Sequence, residues 1–140
     1  MSDSDGMPAV LVVEDDSSLL SLMERMLANG GFATVSAGKA ADGLAIVRQR
    51  QGAFHLAIVD MVMPGMSGLD LATDLHREFP NLPILYISGY VGSLAAEALA
   101  RRTPERVLMK PFSEQELLDR VRMLLAIRPE ADPAPRSTRG

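Results

Sequence analysis

Leu56-Ala57-Ile58-Val59-Asp60-Met61-Val62-Met63-Pro64-Gly65 is the stretch that decides the fold. Its apolar run, closed off by Pro and Gly, reads as a strand buried on both faces, the pattern of a parallel sheet. Asp60 then stands at the carboxyl lip of that strand, where open α/β sheets hold their ligands. Working outward, three more runs end on reactive side chains. Val10-Leu11-Val12-Val13 leads into Glu14-Asp15-Asp16, Ile84-Leu85-Tyr86-Ile87 into Ser88-Gly89, and Val107-Leu108-Met109 into Lys110-Pro111. Parallel pairing brings three carboxylates, one hydroxyl and one ammonium to one edge of one sheet.

Helical periodicity fills the intervals. Strands are expected at residues 9–13, 32–37, 55–60, 83–88 and 106–109, and helices at 17–28, 40–50, 68–79 and 93–101, with a last one beginning at Ser113. In the first helix Leu19, Leu20, Met23, Met26 and Leu27 recur at three and four residues, and Gly30-Gly31 stops it. Ser67 with Asp70 and Ser113 with Glu116 have the spacing of capping boxes. The fourth helix is short, alanine-rich and weakly patterned. Alternating strands and helices imply a doubly wound parallel sheet with right-handed crossovers. Alternation alone does not fix strand order; 2-1-3-4-5 is favoured because it places strands one and three together at the switch point. Residues 8–127 form one domain; residues 1–7 and the Pro-rich tail 128–140 are expected to be disordered.

Composition narrows the chemistry. The 140 residues carry a net charge of −4, which argues against nucleic acid as a direct partner. No cysteine is present, which excludes disulfides, thiolate catalysis and cysteine-based zinc sites. No apolar stretch approaches the ~20 residues of a membrane span, and the acidic start lacks a signal peptide's basic and apolar regions. A cytoplasmic protein is expected.

The ordered set Glu14-Asp15, Asp60-x-x-Met63-Pro64-Gly65-x-x-Gly68, Ser88-Gly89 and Lys110-Pro111-Phe112 resembles the receiver domain of two-component response regulators, over residues 8–127. Ser88-Gly89-Tyr90 and Lys110-Pro111-Phe112-Ser113 are similar to receivers attached to hybrid histidine kinases. The resemblance implies a flavodoxin-like (βα)5 fold and a phosphoacceptor signalling protein rather than an enzyme. The chemistry also stands without the name. Three carboxylates a few ångströms apart cannot all ionise cheaply without a compensating cation. Oxygen-only ligation favours a hard ion such as Mg²⁺, and Asp60 can then act as a nucleophile on phosphorus.

By resemblance, Asp60 accepts a phosphoryl group from the phosphohistidine of a sensor histidine kinase or histidine phosphotransfer protein. Asp15 and Asp60 ligate Mg²⁺ with the backbone carbonyl of Val62, and Glu14 acts through a metal-bound water. Lys110 offsets charge on the phosphoryl oxygens, and a cis Lys110-Pro111 bond aims it into the pocket. The Ser88 hydroxyl bonds the phosphoryl group and draws its loop inward, repacking the surface of helix four, strand five and helix five. That surface would carry a downstream protein or a weak dimer of an otherwise monomeric chain. No helix-turn-helix or other output domain follows helix five, so output by protein contact is expected, with no direct DNA binding.

Two positions depart from the family pattern. Val107 stands where receivers commonly carry a switching Tyr or Phe, which leaves Tyr86 or Tyr90 to substitute. Tyr90 is two residues past Ser88, where the family tunes phosphoryl lifetime. Two other functions compete. A haloacid-dehalogenase-like phosphatase needs a second Asp two residues after its nucleophile, and Val62 is there instead. A receiver-like module that is never phosphorylated fits Val107 but not the intact acidic set.

Simpler readings accompany several residues. Asp16 caps helix one, and Asp15 has the cap as its alternative. Lys110 and Ser88 each have a turn-residue reading. Met61, Met63 and Met66 read as packing, His55 and His76 as structural or solvated, and Arg101, Arg102 and Arg106 as a solvated helix end.

Overall fold

The computed structural model describes residues 6–63, 65–89 and 94–126. In chain order the elements are β1 Ala9–Val13, α1 Ser17–Asn29, β2 Ala33–Ala37, α2 Ala40–Gln49, β3 Leu56–Asp60, α3 Gly68–Glu78, β4 Ile84–Ser88, α4 Leu94–Arg102, a 3-10 turn Pro104–Arg106, β5 Val107–Met109 and α5 Glu114–Ala126. The five strands form one parallel sheet in the order β2-β1-β3-β4-β5. This is the expected doubly wound topology. The elements differ from the sequence reading by a residue or so at their ends, where hydrogen bonding fades. Residues 1–5, 64, 90–93 and 127–140 lie outside the described residues.

Alternation along each strand builds two cores. Val10, Val12, Leu56, Ile58, Leu85, Ile87 and Leu108 face α1 and α5, where Met23, Leu27, Leu117 and Val121 meet them. Leu11, Val13, Ala57, Val59 and Ile84 face the other way, onto Leu44 and Val47 of α2 and Leu71 and Leu75 of α3. Every residue of β3 is buried, as its unbroken apolar run requires of a central strand. Each fully buried Val, Leu or Ile contributes about 1.5–3 kcal/mol relative to exposure, so the central strands anchor the lip on which the polar residues sit.

Capping follows the sequence. Asp16 Oδ1 accepts from the Ser18 and Leu19 amides at the start of α1. At α5 the Ser113 hydroxyl oxygen accepts from the Glu116 amide while Glu116 accepts from the Ser113 amide, a complete box. At α3 only half of it forms, the Asp70 amide donating to Ser67, consistent with the short Asp side chain. His55 has a structural role: its Nδ1 accepts from the Ala9 amide at the far end of the sheet. No helix among the described residues is long and apolar enough to cross a membrane.

Candidate functional site

The sheet's hydrogen bonding continues into the site. Glu14 donates its amide to Ala37, Met61 to Ile87 and Lys110 to Ser88, at 3.0, 2.9 and 2.8 Å. The backbones that carry the acids, the hydroxyl and the ammonium are therefore extensions of the ladder. Gly68 opens α3 directly against Asp60, so closely that a Cβ there would collide with the Asp60 carbonyl oxygen. The first turn of α3 thus abuts the end of β3.

Glu14, Asp15 and Asp60 converge, each offering a carboxylate oxygen within 4.8 Å of the others. Their surroundings differ. Glu14 is 2% exposed and Asp60 4%, whereas Asp15 faces water. Asp60 Oδ1 accepts from the Val62 amide at 3.0 Å, and Oδ2 from Lys110 Nζ at 2.9 Å. Lys110 Nζ also lies 3.4 Å from Glu14 Oε1. The Lys110-Pro111 peptide is cis. Gly89 leaves room for the lysine stem, since a Cβ there would stand 2.8 Å from Lys110 Cδ. Ser88 is buried at the end of β4, in the strand beside Asp60.

One ammonium cannot balance three carboxylates, and the electrostatics register the deficit. The Glu14 carboxyl is pushed up to about 7, first by burial. The Asp16 amide, which donates to Oε2, works against the rise, Asp60 adds to it, and Lys110 opposes it. Burial pulls the Lys110 ammonium down, but the hydrogen bond and charge of Asp60, with Glu14, outweigh it and the net direction is up. Glu14 Oε1 is a buried oxygen that lacks a hydrogen-bond partner. A buried oxygen held only by the 3.4 Å ion pair to Lys110, three carboxylates within reach of one another and an excess of negative charge together suit a hard divalent cation.

The residues singled out in the sequence distribute as follows. Glu14, Asp15, Asp60 and Lys110 meet directly, with Val62 beside them through its backbone. Val107 is buried on β5, in register with Tyr86 of β4. Tyr90 lies outside the described residues. Met61 and Met63 are buried and Met66 packs on the core, a packing role. Sequence reasoning missed Arg120. Its guanidinium donates to the backbone carbonyls of Pro104, Glu105 and Val107, at 3.2, 3.3 and 2.6 Å, and ties α5 to the start of β5. An Arg that bonds carbonyls of a distant turn leaves no mark in local pattern. The nearest signal was its place on the half-buried flank of α5.

Comparison with known proteins agrees with this geometry. The family model described as the response regulator receiver domain matches residues 10–122. The response regulator protein FleR of Pseudomonas aeruginosa is 35% identical over 112 residues, 80% of this chain and 23% of its own length. The sensor kinase CckA of Brucella abortus is 30% identical over 128 residues, 89% of this chain and 13% of its own length. The chain thus spans under a quarter of either relative. Among solved structures, a response regulator receiver domain protein from Clostridium thermocellum superposes with a TM-score of 0.78 at 25% identity, covering 86% of this chain and 95% of that one. The parallel order of the strands, the acids gathered at their carboxyl ends and a family match running from β1 into α5 lead to one assignment: this chain belongs to the response regulator receiver domain family, whose members are phosphoacceptor signalling modules rather than turnover enzymes.

Proposed function

We propose that this chain accepts a phosphoryl group on Asp60 from a phosphohistidine, in a Mg²⁺-dependent reaction, and signals the change by protein–protein contact. The observation that carries this reading is the Lys110 ammonium, 2.9 Å from an Asp60 carboxylate that also lies within 4.8 Å of Glu14 and Asp15. A carboxylate oxygen of Asp60 attacks phosphorus, the P–N bond to the donor imidazole breaks, and the imidazole leaves with the electron pair and then takes a proton. Lys110 offsets charge on the phosphoryl oxygens as they pass through the transition state. Asp15, Asp60 and the Val62 carbonyl are the residues that would hold Mg²⁺, with Glu14 acting through a bound water. The ion supplies further charge neutralisation at those oxygens. Ser88 offers the hydroxyl that bonds the phosphoryl group in the product.

The donor class is a sensor histidine kinase or a histidine phosphotransfer protein. The contact face is α4, β5 and α5. Leu94, Met109 and Met123, one on each of these elements, are exposed at 80%, 42% and 39%. Apolar side chains left in water on these three elements suit a protein partner or a weak dimer. The deciding experiment is incubation with acetyl phosphate and Mg²⁺. Intact mass should show one hydroxylamine-labile phosphoryl group in the wild type and none in Asp60→Asn. Undiminished labelling of the variant would sink the assignment.

A further inference from the structure

The sheet end opposite Asp60 carries a second concavity. A cleft of about 220 Å³ opens between α3 and α4. Leu82, Ile84 and Leu99 give it apolar lining, and His76, Tyr86, Thr103 and Arg106 give it polar groups. It begins at the amino end of β4, so that Ile84 in its wall stands four residues before Ser88. None of these side chains takes part in the acidic site.

We propose that this cleft binds a small amphipathic anion, a single ring or branched aliphatic group bearing one carboxylate. Size sets the first limit. Pockets for cofactors and drug-sized ligands run from roughly 300 to 1,000 Å³, so a cleft of about 220 Å³ admits one ring and excludes a nucleotide. Charge sets the second. Arg106 lines the cleft, and its guanidinium with that of Arg102 acts on the Tyr86 hydroxyl: burial pushes that phenol up, and the two cations oppose the rise. Among the described residues neither Arg102 nor Arg106 is in an ion pair. Of the three carboxylates of α3, Asp74 pairs with Arg77 and Glu78 with Arg48 and Arg77, and none of the three lines the cleft. A guanidinium with no carboxylate among the residues that line the cleft, beside an apolar wall, selects a ligand with an acidic head and an apolar body. Guanidinium and carboxylate suit each other as a planar, two-pronged pair. A bound ligand would bridge Leu99 of α4, and Thr103 just past its end, to β4 and to His76 of α3.

The test is a titration of the full chain with phenylacetate and, separately, with neutral phenylacetamide, followed by amide NMR shifts. Phenylacetate should give saturable shifts at Tyr86, Thr103 and Arg106, and the amide should bind about tenfold more weakly. Arg106→Gln, at a half-buried position outside the core clusters, should remove that preference for the acid. Leu99→Phe should fill the cleft and weaken both ligands. Asp60→Asn should bind phenylacetate as the wild type does, which separates this site from the phosphoacceptor. Equal affinity for acid and amide, an unchanged preference in Arg106→Gln, or no saturable shift at these residues would overturn the proposal.

Discussion

Glu14 holds its proton to about pH 7 because burial and Asp60 disfavour its charge. Its ordinary value is 4.5, which is where the unfolded chain releases that proton. Between those two values the native state binds more protons than the unfolded one, so this group's contribution to stability falls as pH rises through that window. In metal-free protein, urea denaturation across that range should show Glu14→Gln gaining on the wild type as pH rises, then holding its gain above pH 7. Parallel profiles would mean that burial of this carboxylate costs nothing. At Ser88 the expectation concerns response. A phosphoryl group shifts a conformational equilibrium only through contacts made better in one state, and Val107 has neither ring nor hydroxyl to offer. Ser88→Ala should therefore leave Asp60 phosphorylatable while erasing the amide shifts that beryllofluoride, a phosphoryl mimic, induces in α4. A full wild-type response in that variant would place the switch elsewhere.

Among the elements, the α3 N-terminus is the most tightly constrained. Any side chain at Gly68 meets the Asp60 carbonyl oxygen, so Gly68→Ala must push back either the first turn of α3 or the end of β3. Overpacking of this kind costs typically 1–3 kcal/mol, and the displaced Asp60 should also lose phosphorylation rate. Chemical denaturation with an acetyl phosphate time course measures both. The glycine itself was visible in the sequence, but what it abuts was not, because the contact joins two elements across a loop. Helix boundaries were more legible. Asp16, Ser67 and Ser113 each cap where their spacing placed them, since a cap is a contact between near neighbours in sequence. The basic run at the end of α4 was misjudged in one respect. Arg106, read as part of a solvated helix end, lies instead in the turn Pro104–Arg106 and lines the α3–α4 cleft. Tertiary packing against β4, absent from the periodicity of a short alanine-rich helix, decides that.

For the molecule as a whole, the meeting of Asp60 with Glu14, Asp15 and Lys110 could be read from the chain because parallel strands end at a common lip. Strand order, which alternation does not fix, followed from placing strands one and three together at the switch point. Side chains at strand ends inherit their neighbours from topology alone. Charge at that lip sets a property of the entire fold. A ligand that binds only the native state stabilises it, so Mg²⁺ should raise the melting temperature of the wild type. Asp15→Asn removes one of three carboxylates and should abolish most of that gain; an equal rise in both proteins would take Asp15 out of the metal site. What topology does not reveal is how the sheet ends sideways. β5 is an edge strand of three residues, and its first outward carbonyl, on Val107, is already taken by Arg120. An incoming peptide would find its first rung occupied, which together with the shortness of the strand disfavours extension of the sheet on this side. Partners that approach β5 are thereby steered to its side chains rather than its backbone, and a short edge with an occupied carbonyl also discourages edge-to-edge aggregation.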